Sequence, residues 1–165
     1  MVSGPMSERS HVAVVGVGNP IMGDDGVGER VVEAFRDEDG VVATHAGTTA
    51  FFALEAMSGA DYAVIVDAVA VEGAEPGAIH RYRYNEGSFD GSPPEVLMHD
   101  FSFSEALQAG QDPYDLPDEM LVIGVQPADT GPGTELSDAV AERVPDVIEI
   151  VRETIAVRTR TEVER

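Results

Sequence analysis

The chain has no cysteine and no lysine. Without thiols there can be no disulfide, no thiolate metal site and no cysteine nucleophile, so any metal chemistry falls to His, Asp and Glu. Without lysine, all ten basic residues are arginine, set against 31 acids for a net charge of −21. Nucleic acids and anionic membranes gain affinity by releasing counterions to clustered cations, and this chain carries no such cluster; both are disfavoured as partners. Long apolar runs are also missing. The stretch from Tyr62 to Val66 and the interrupted one around Val64 to Val71 fall far short of the ~20 residues of a membrane span. Residues 1–10 have neither an apolar core nor a basic leader. They are expected to be a disordered lead-in with no export signal, which predicts a cytoplasmic location.

What is present fits one globular domain. With 165 residues, 43% of them hydrophobic, the chain can bury roughly 70% of its unfolded surface in a single core. The expected domain spans 11–157, followed by a frayed tail over 158–165. The acid excess suits a solvated surface adapted to very high salt, where a screening length of ~3 Å at 1 M removes self-repulsion.

Apolar runs alternate with amphipathic ones, the pattern of βαβ units around a mainly parallel sheet. Val12–Val17 reads as a strand buried on both faces. From Asp25 to about Arg36, apolar residues recur at helical spacing, and Asp24 or Asp25 is placed to cap that helix. A second strand is expected over 40–46, then a short helix over Ala50–Met57 capped by Thr48 or Thr49, and a third strand running into Asp67. His80–Tyr84 alternates as an edge strand does. A loop over 85–94, a helix over 101–109 and a buried strand over 120–125 follow. The last element is a helix over 135–157, kinked or divided at Pro145.

The opening loop, Gly16-Val-Gly-Asn-Pro-Ile-Met-Gly-Asp-Asp-Gly-Val-Gly28, stands between the first strand and the first helix. That is where dinucleotide folds bind pyrophosphate, yet two acids occupy the place and the third glycine of the Gly-x-Gly-x-x-Gly fingerprint is Ile21. An acidic turn favours a cation over an anion. Asp25 follows strand one, His45 ends strand two, Asp67 ends strand three and Gln126 ends the last strand. Open parallel sheets bind ligands beyond the carboxyl ends of their strands, so these residues converge on one rim, where His99 can join them. Each alone is an ordinary cap, strand-end acid or surface histidine. Asp25, Asp67 and His99 gain weight as a set, because two carboxylates and an imidazole suit Ni²⁺, Zn²⁺ or Co²⁺ and leave open positions for substrate. No serine stands in a nucleophile-elbow context, and no His-Glu-x-x-His helix occurs.

The Gly16–Gly28 loop, Val-Ile-Val-Asp67-Ala, His99 and Val122-Ile-Gly-Val-Gln-Pro127 together resemble, in order and spacing, the maturation endopeptidases of nickel-iron hydrogenases. The resemblance spans about Val12 to Val157. It implies a three-layer α/β/α sandwich with a mostly parallel twisted sheet of about five strands. It also implies an endopeptidase that removes the C-terminal extension of a hydrogenase large-subunit precursor after nickel insertion, with the nickel carried by the substrate. The family's metal-binding residues fall on Asp25, Asp67 and His99. Where the family usually has an acid before Gly-Thr, this chain has His45-Ala-Gly-Thr48. That departure leaves three roles open for His45: a further metal ligand, a residue that orients substrate, or the mark of a subgroup with a different precursor. His45, Gly47, Thr48 and Gln126 are expected to contact substrate. Two other readings of the same rim are a nickel-dependent chaperone that binds the precursor without cutting it and a small-molecule metallohydrolase.

Overall fold

The structure is a computed structural model that describes residues 11–85, 88–89, 97–98, 101–102 and 114–164. Strand β1 (Val12–Gly16) leads through a 3-10 turn (Gly23–Gly26) into helix α1 (Val27–Val32), which tightens into a second 3-10 turn over Glu33–Phe35. Then come β2 (Val41–His45), α2 (Ala50–Met57), β3 (Tyr62–Ala68) and β4 (Ile79–Asn85). Three two-residue strands follow: β5 (Ser88–Phe89), β6 (Leu97–Met98) and β7 (Phe101–Ser102). The chain closes with β8 (Glu119–Val125), α3 (Asp138–Ala141) and α4 (Val144–Glu164).

The main sheet has the order β2-β1-β3-β8-β4-β5. β2, β1, β3 and β8 run parallel, whereas β4 returns antiparallel against β8 and carries β5 on its outer edge. Parallel central strands must be covered on both faces, which is why β1, β3 and β8 are runs of Val, Ile, Ala and Leu rather than alternating sequences. Ala13, Val15, Ala63, Ile65 and Val122 point to one face, where Ala53, Leu54 and Met57 of α2 close over them. Val12, Val14, Val64, Val66 and Ile123 point to the other, under Val27, Val31 and Val32 of α1 and Val147 and Val151 of α4. The result is the expected three-layer α/β/α sandwich.

Several boundaries differ from the sequence reading. Neither Asp24 nor Asp25 caps α1: its N-cap is Gly26, with no side-chain cap bond. Thr49 is the N-cap of α2, again without a side-chain bond. The helix expected over 101–109 begins at a strand instead, since Phe101–Ser102 pairs antiparallel with Leu97–Met98; its remainder lies outside the described residues. Pro145 does not kink a helix. It is the second residue of α4, where a missing N–H leaves no bond unmade, and the break falls at Glu142–Arg143. The tail expected to fray from 158 is helical through Glu164.

Candidate functional site

The rim is assembled by glycines that let backbone meet backbone. Helix α1 lies so close to the sheet that a Cβ on Gly28 would stand 2.5 Å from the Val66 carbonyl and 2.7 Å from the Val17 amide nitrogen. A side chain there would lift the helix and carry the Gly23–Gly26 turn away from the end of β3. Gly18 has φ +125°, and a Cβ on it would strike the Asp25 carbonyl oxygen; only glycine fits both demands.

Asp67 is the penultimate residue of β3, paired in register with Gly124 of β8. It is 4% exposed, and its carboxylate accepts a 2.7 Å bond from the Ala68 amide. Burial raises its pKa well above the ordinary carboxylate range, and the negative charge of Asp25 raises it further. Asp25 sits in the 3-10 turn, its Oδ2 accepting a 2.8 Å bond from the Asn19 amide. The structure thus brings together Asp25 and Asp67, two of the three residues grouped on sequence. His99 lies outside the described residues, and among those described no group of three His, Asp or Glu is arranged to hold a metal. The donor set suits a cation nonetheless: a positive ion beside Asp67 offsets the burial and the Asp25 charge that disfavour its ionisation.

The neighbouring acid has a different task. Asp24 is fully buried. Its Oδ2 accepts from the amides of Ala128 and Asp129 at 2.8 and 2.9 Å and from the Ser137 hydroxyl at 2.8 Å, and its Oδ1 from the Ser137 amide at 2.7 Å. Burial alone would raise its pKa, but these bonds outweigh it and hold the carboxyl below its ordinary range. Around it the backbone is doubly tied: Gly23 donates to the Gly133 carbonyl, Asp24 to that of Asp129, and Gly133 to that of Ile21. Asp24 therefore buckles the glycine loop to the loop after β8. Ser137 completes the buckle and caps α3 through the Val140 amide. No local sequence signal marks this role, because the partners lie 104 to 113 residues away.

The expected substrate contacts divide. Gln126 faces inward: its Oε1 accepts a 2.8 Å bond from the Val71 amide, while its own backbone exchanges bonds with Gly77 and Ala78. Gln126 thereby holds the loop between β3 and β4. Gly47 adopts φ +69° with open space where a Cβ would stand, so backbone angle rather than close approach calls for glycine. Its carbonyl accepts from the Gly18 amide at 2.8 Å, and Thr48 beside it is partly exposed. His45 also turns inward, with Nε2 2.9 Å from the Gly18 carbonyl and Nδ1 3.8 Å from the Glu29 carboxylate.

Known proteins resemble this chain in sequence and fold. The sequence model of the hydrogenase maturation protease family, HycI, matches residues 26–154. The hydrogenase expression/formation protein HupD of Thiocapsa roseopersicina is 30% identical over 156 residues, covering 92% of this chain and 70% of that protein. The hydrogenase 2 maturation protease of Escherichia coli K12 is 26% identical over 146 residues, covering 85% of this chain and 87% of its own. Among solved structures, the hydrogenase maturating endopeptidase HybD from E. coli superposes with a TM-score of 0.71 at 25% identity, over 87% of this chain and 93% of that one. The hydrogenase 2 maturation peptidase from Thaumarchaeota archaeon SCGC_AB-539-E09 gives a TM-score of 0.64 at 28% identity, over 88% and 98%. With a family match across most of its length and a sheet that carries two acids to one rim, this chain belongs to the hydrogenase maturation proteases and is a peptidase.

Proposed function

We propose that the protein removes the C-terminal extension of a nickel-iron hydrogenase large-subunit precursor once nickel has been inserted, and that it recognises the nickel the precursor carries. The observation that carries this reading is the pairing of Asp25 with the buried Asp67 at the carboxyl end of the sheet, where burial and the charge of Asp25 both disfavour ionisation of Asp67. Such a pair is incomplete without a cation, and a cation delivered by the substrate makes binding conditional on loading. Asp25, Asp67 and His99 hold the metal in this reading. Nickel then acts as a template that brings the adjoining peptide to the rim. Thr48, beside the glycine turn, lies where an extended chain would pass.

The acidic composition supports work in a cytoplasm of high ionic strength. Both points are open to direct measurement. Purified protein mixed with precursor, with and without nickel, should shorten only the loaded precursor by the mass of its extension. Equal cutting of nickel-free precursor would end the recognition reading while leaving a peptidase. Tight binding of loaded precursor without any change in its mass would make the protein a chaperone.

A further inference from the structure

His45 ends β2, and each nitrogen of its ring faces a polar partner. The Gly18 carbonyl can only accept, so the 2.9 Å contact requires a proton on Nε2. Nδ1 faces the Glu29 carboxylate of α1 at 3.8 Å. The ring is 17% exposed and Glu29 38%, which places the pair at the border of the fold rather than out in solvent. The peptide group that His45 grips is the one joining Gly18 to Asn19. Its other end, the Asn19 amide, donates the 2.8 Å bond to Asp25 Oδ2. A line of hydrogen bonds thus runs from the His45 imidazole through the Gly18–Asn19 peptide to Asp25, with the Glu29 carboxylate facing the other ring nitrogen.

We infer that His45, with Glu29 beside its ring, is a positioning residue that sets the Asp25 carboxylate through the Gly18–Asn19 peptide, rather than a residue that touches substrate. The physical basis is twofold. A hydrogen bond accepted at a peptide oxygen polarises the group and strengthens its N–H as a donor, so the bond from His45 tightens the bond to Asp25. Gly18 has φ +125°, a conformation open to glycine, and glycine resists peptide rotation least; a clamp on its carbonyl supplies the rigidity the residue itself lacks. Gly18 donates its own amide to Gly47 two residues beyond His45, so the end of β2 holds the loop at two points.

The inference rests on Asp25 belonging to the site, and its test separates the two ideas. In the ¹⁵N-labelled full chain, His45→Ala should move the Asn19 amide resonance while the rest of the spectrum persists. His45→Gln, whose amide nitrogen reaches the Nε2 position, should return it toward wild type. With nickel-loaded precursor, His45→Ala should lower kcat/KM by roughly tenfold to a hundredfold, the size of effect seen when the partner of a metal ligand is lost. His45→Gln should recover most of that loss together with the Asn19 resonance. An Asn19 resonance unmoved by His45→Ala, or one restored by His45→Gln without recovery of kcat/KM, overturns the inference. Should His45→Ala fail to fold, Glu29→Gln replaces it: the His45 ring and Asn19 amide resonances should move together, and ring movement without the amide overturns the inference equally. If wild-type protein cuts no precursor, the proposed function fails while the resonances still decide the positioning role.

Discussion

Asp24 turns toward the loop after β8, and Asp25, one residue on, turns toward Asn19 and Asp67. The first is satisfied by donors fixed in the fold, whereas the second shares its surroundings with another acid. Asp24 and that other acid, Asp67, have opposite energetic signs. Asp24 has a lowered pKa, so its stabilisation is complete above the ordinary Asp value of about 3.9 and is lost as pH falls through the lower folded value. Asp67 has a raised pKa, so stability declines as pH rises from about 3.9 toward the folded value, because the unfolded chain releases a proton that the folded one retains. Urea unfolding at pH 7 should then show Asp24→Asn destabilised by about 3 kcal/mol, since buried amides lose a charged acceptor. Asp67→Asn should gain on the order of 1 kcal/mol, an advantage that grows with pH across the window just named, while precursor processing is lost. A stability loss in Asp67→Asn at pH 7 would contradict the account of its burial.

At the scale of elements, the C-terminal helix shows how tertiary contacts extend what local sequence leaves weak. The polar run from Arg158 onward suggests fraying, yet α4 continues to Glu164. Two arginines strap it down. Arg152 lies over the Phe35 ring at 5.0 Å and pairs with Glu38, and Arg158 lies over the Tyr62 ring at 3.9 Å and pairs with Glu119. Each combines a planar cation on an aromatic face with a carboxylate at its edge, a geometry that lysine cannot copy. Arg158→Ala should cost about 1 kcal/mol and speed amide hydrogen exchange over residues 152–164, with the exchange of β1 and β3 unaltered. Unchanged exchange in the helix would show that its buried valines alone hold it.

For the molecule as a whole, charge is the dominant fact. Ten arginines face 31 acids, and the described ion pairs of Arg36, Arg143, Arg152 and Arg158 engage only a few of those acids. Most of the acidic surface must be neutralised by dissolved cations, so circular dichroism should show structure that grows with salt and is incomplete at low ionic strength. Full structure in dilute buffer would remove the case for a salt-adapted surface. Among the described residues no helix is long and apolar enough to cross a membrane, in line with the short apolar runs.

Repeating apolar strands and glycine punctuation made the layered α/β/α fold legible in the sequence, because parallel strands buried on both faces leave little choice of residue. The order of strand ends likewise singled out Asp25 and Asp67. Local sequence could not say which way a rim side chain turns. The Gln126 side chain reaches Val71, and His45 reaches Gly18 with Glu29 beside it, contacts that no local pattern announces, and the acid read as a cap is a buckle between distant loops. Periodicity reports which residues face the core, since burial repeats along each element. Hydrogen-bond partners at a rim come from loops far apart in the chain, so only the tertiary structure decided them.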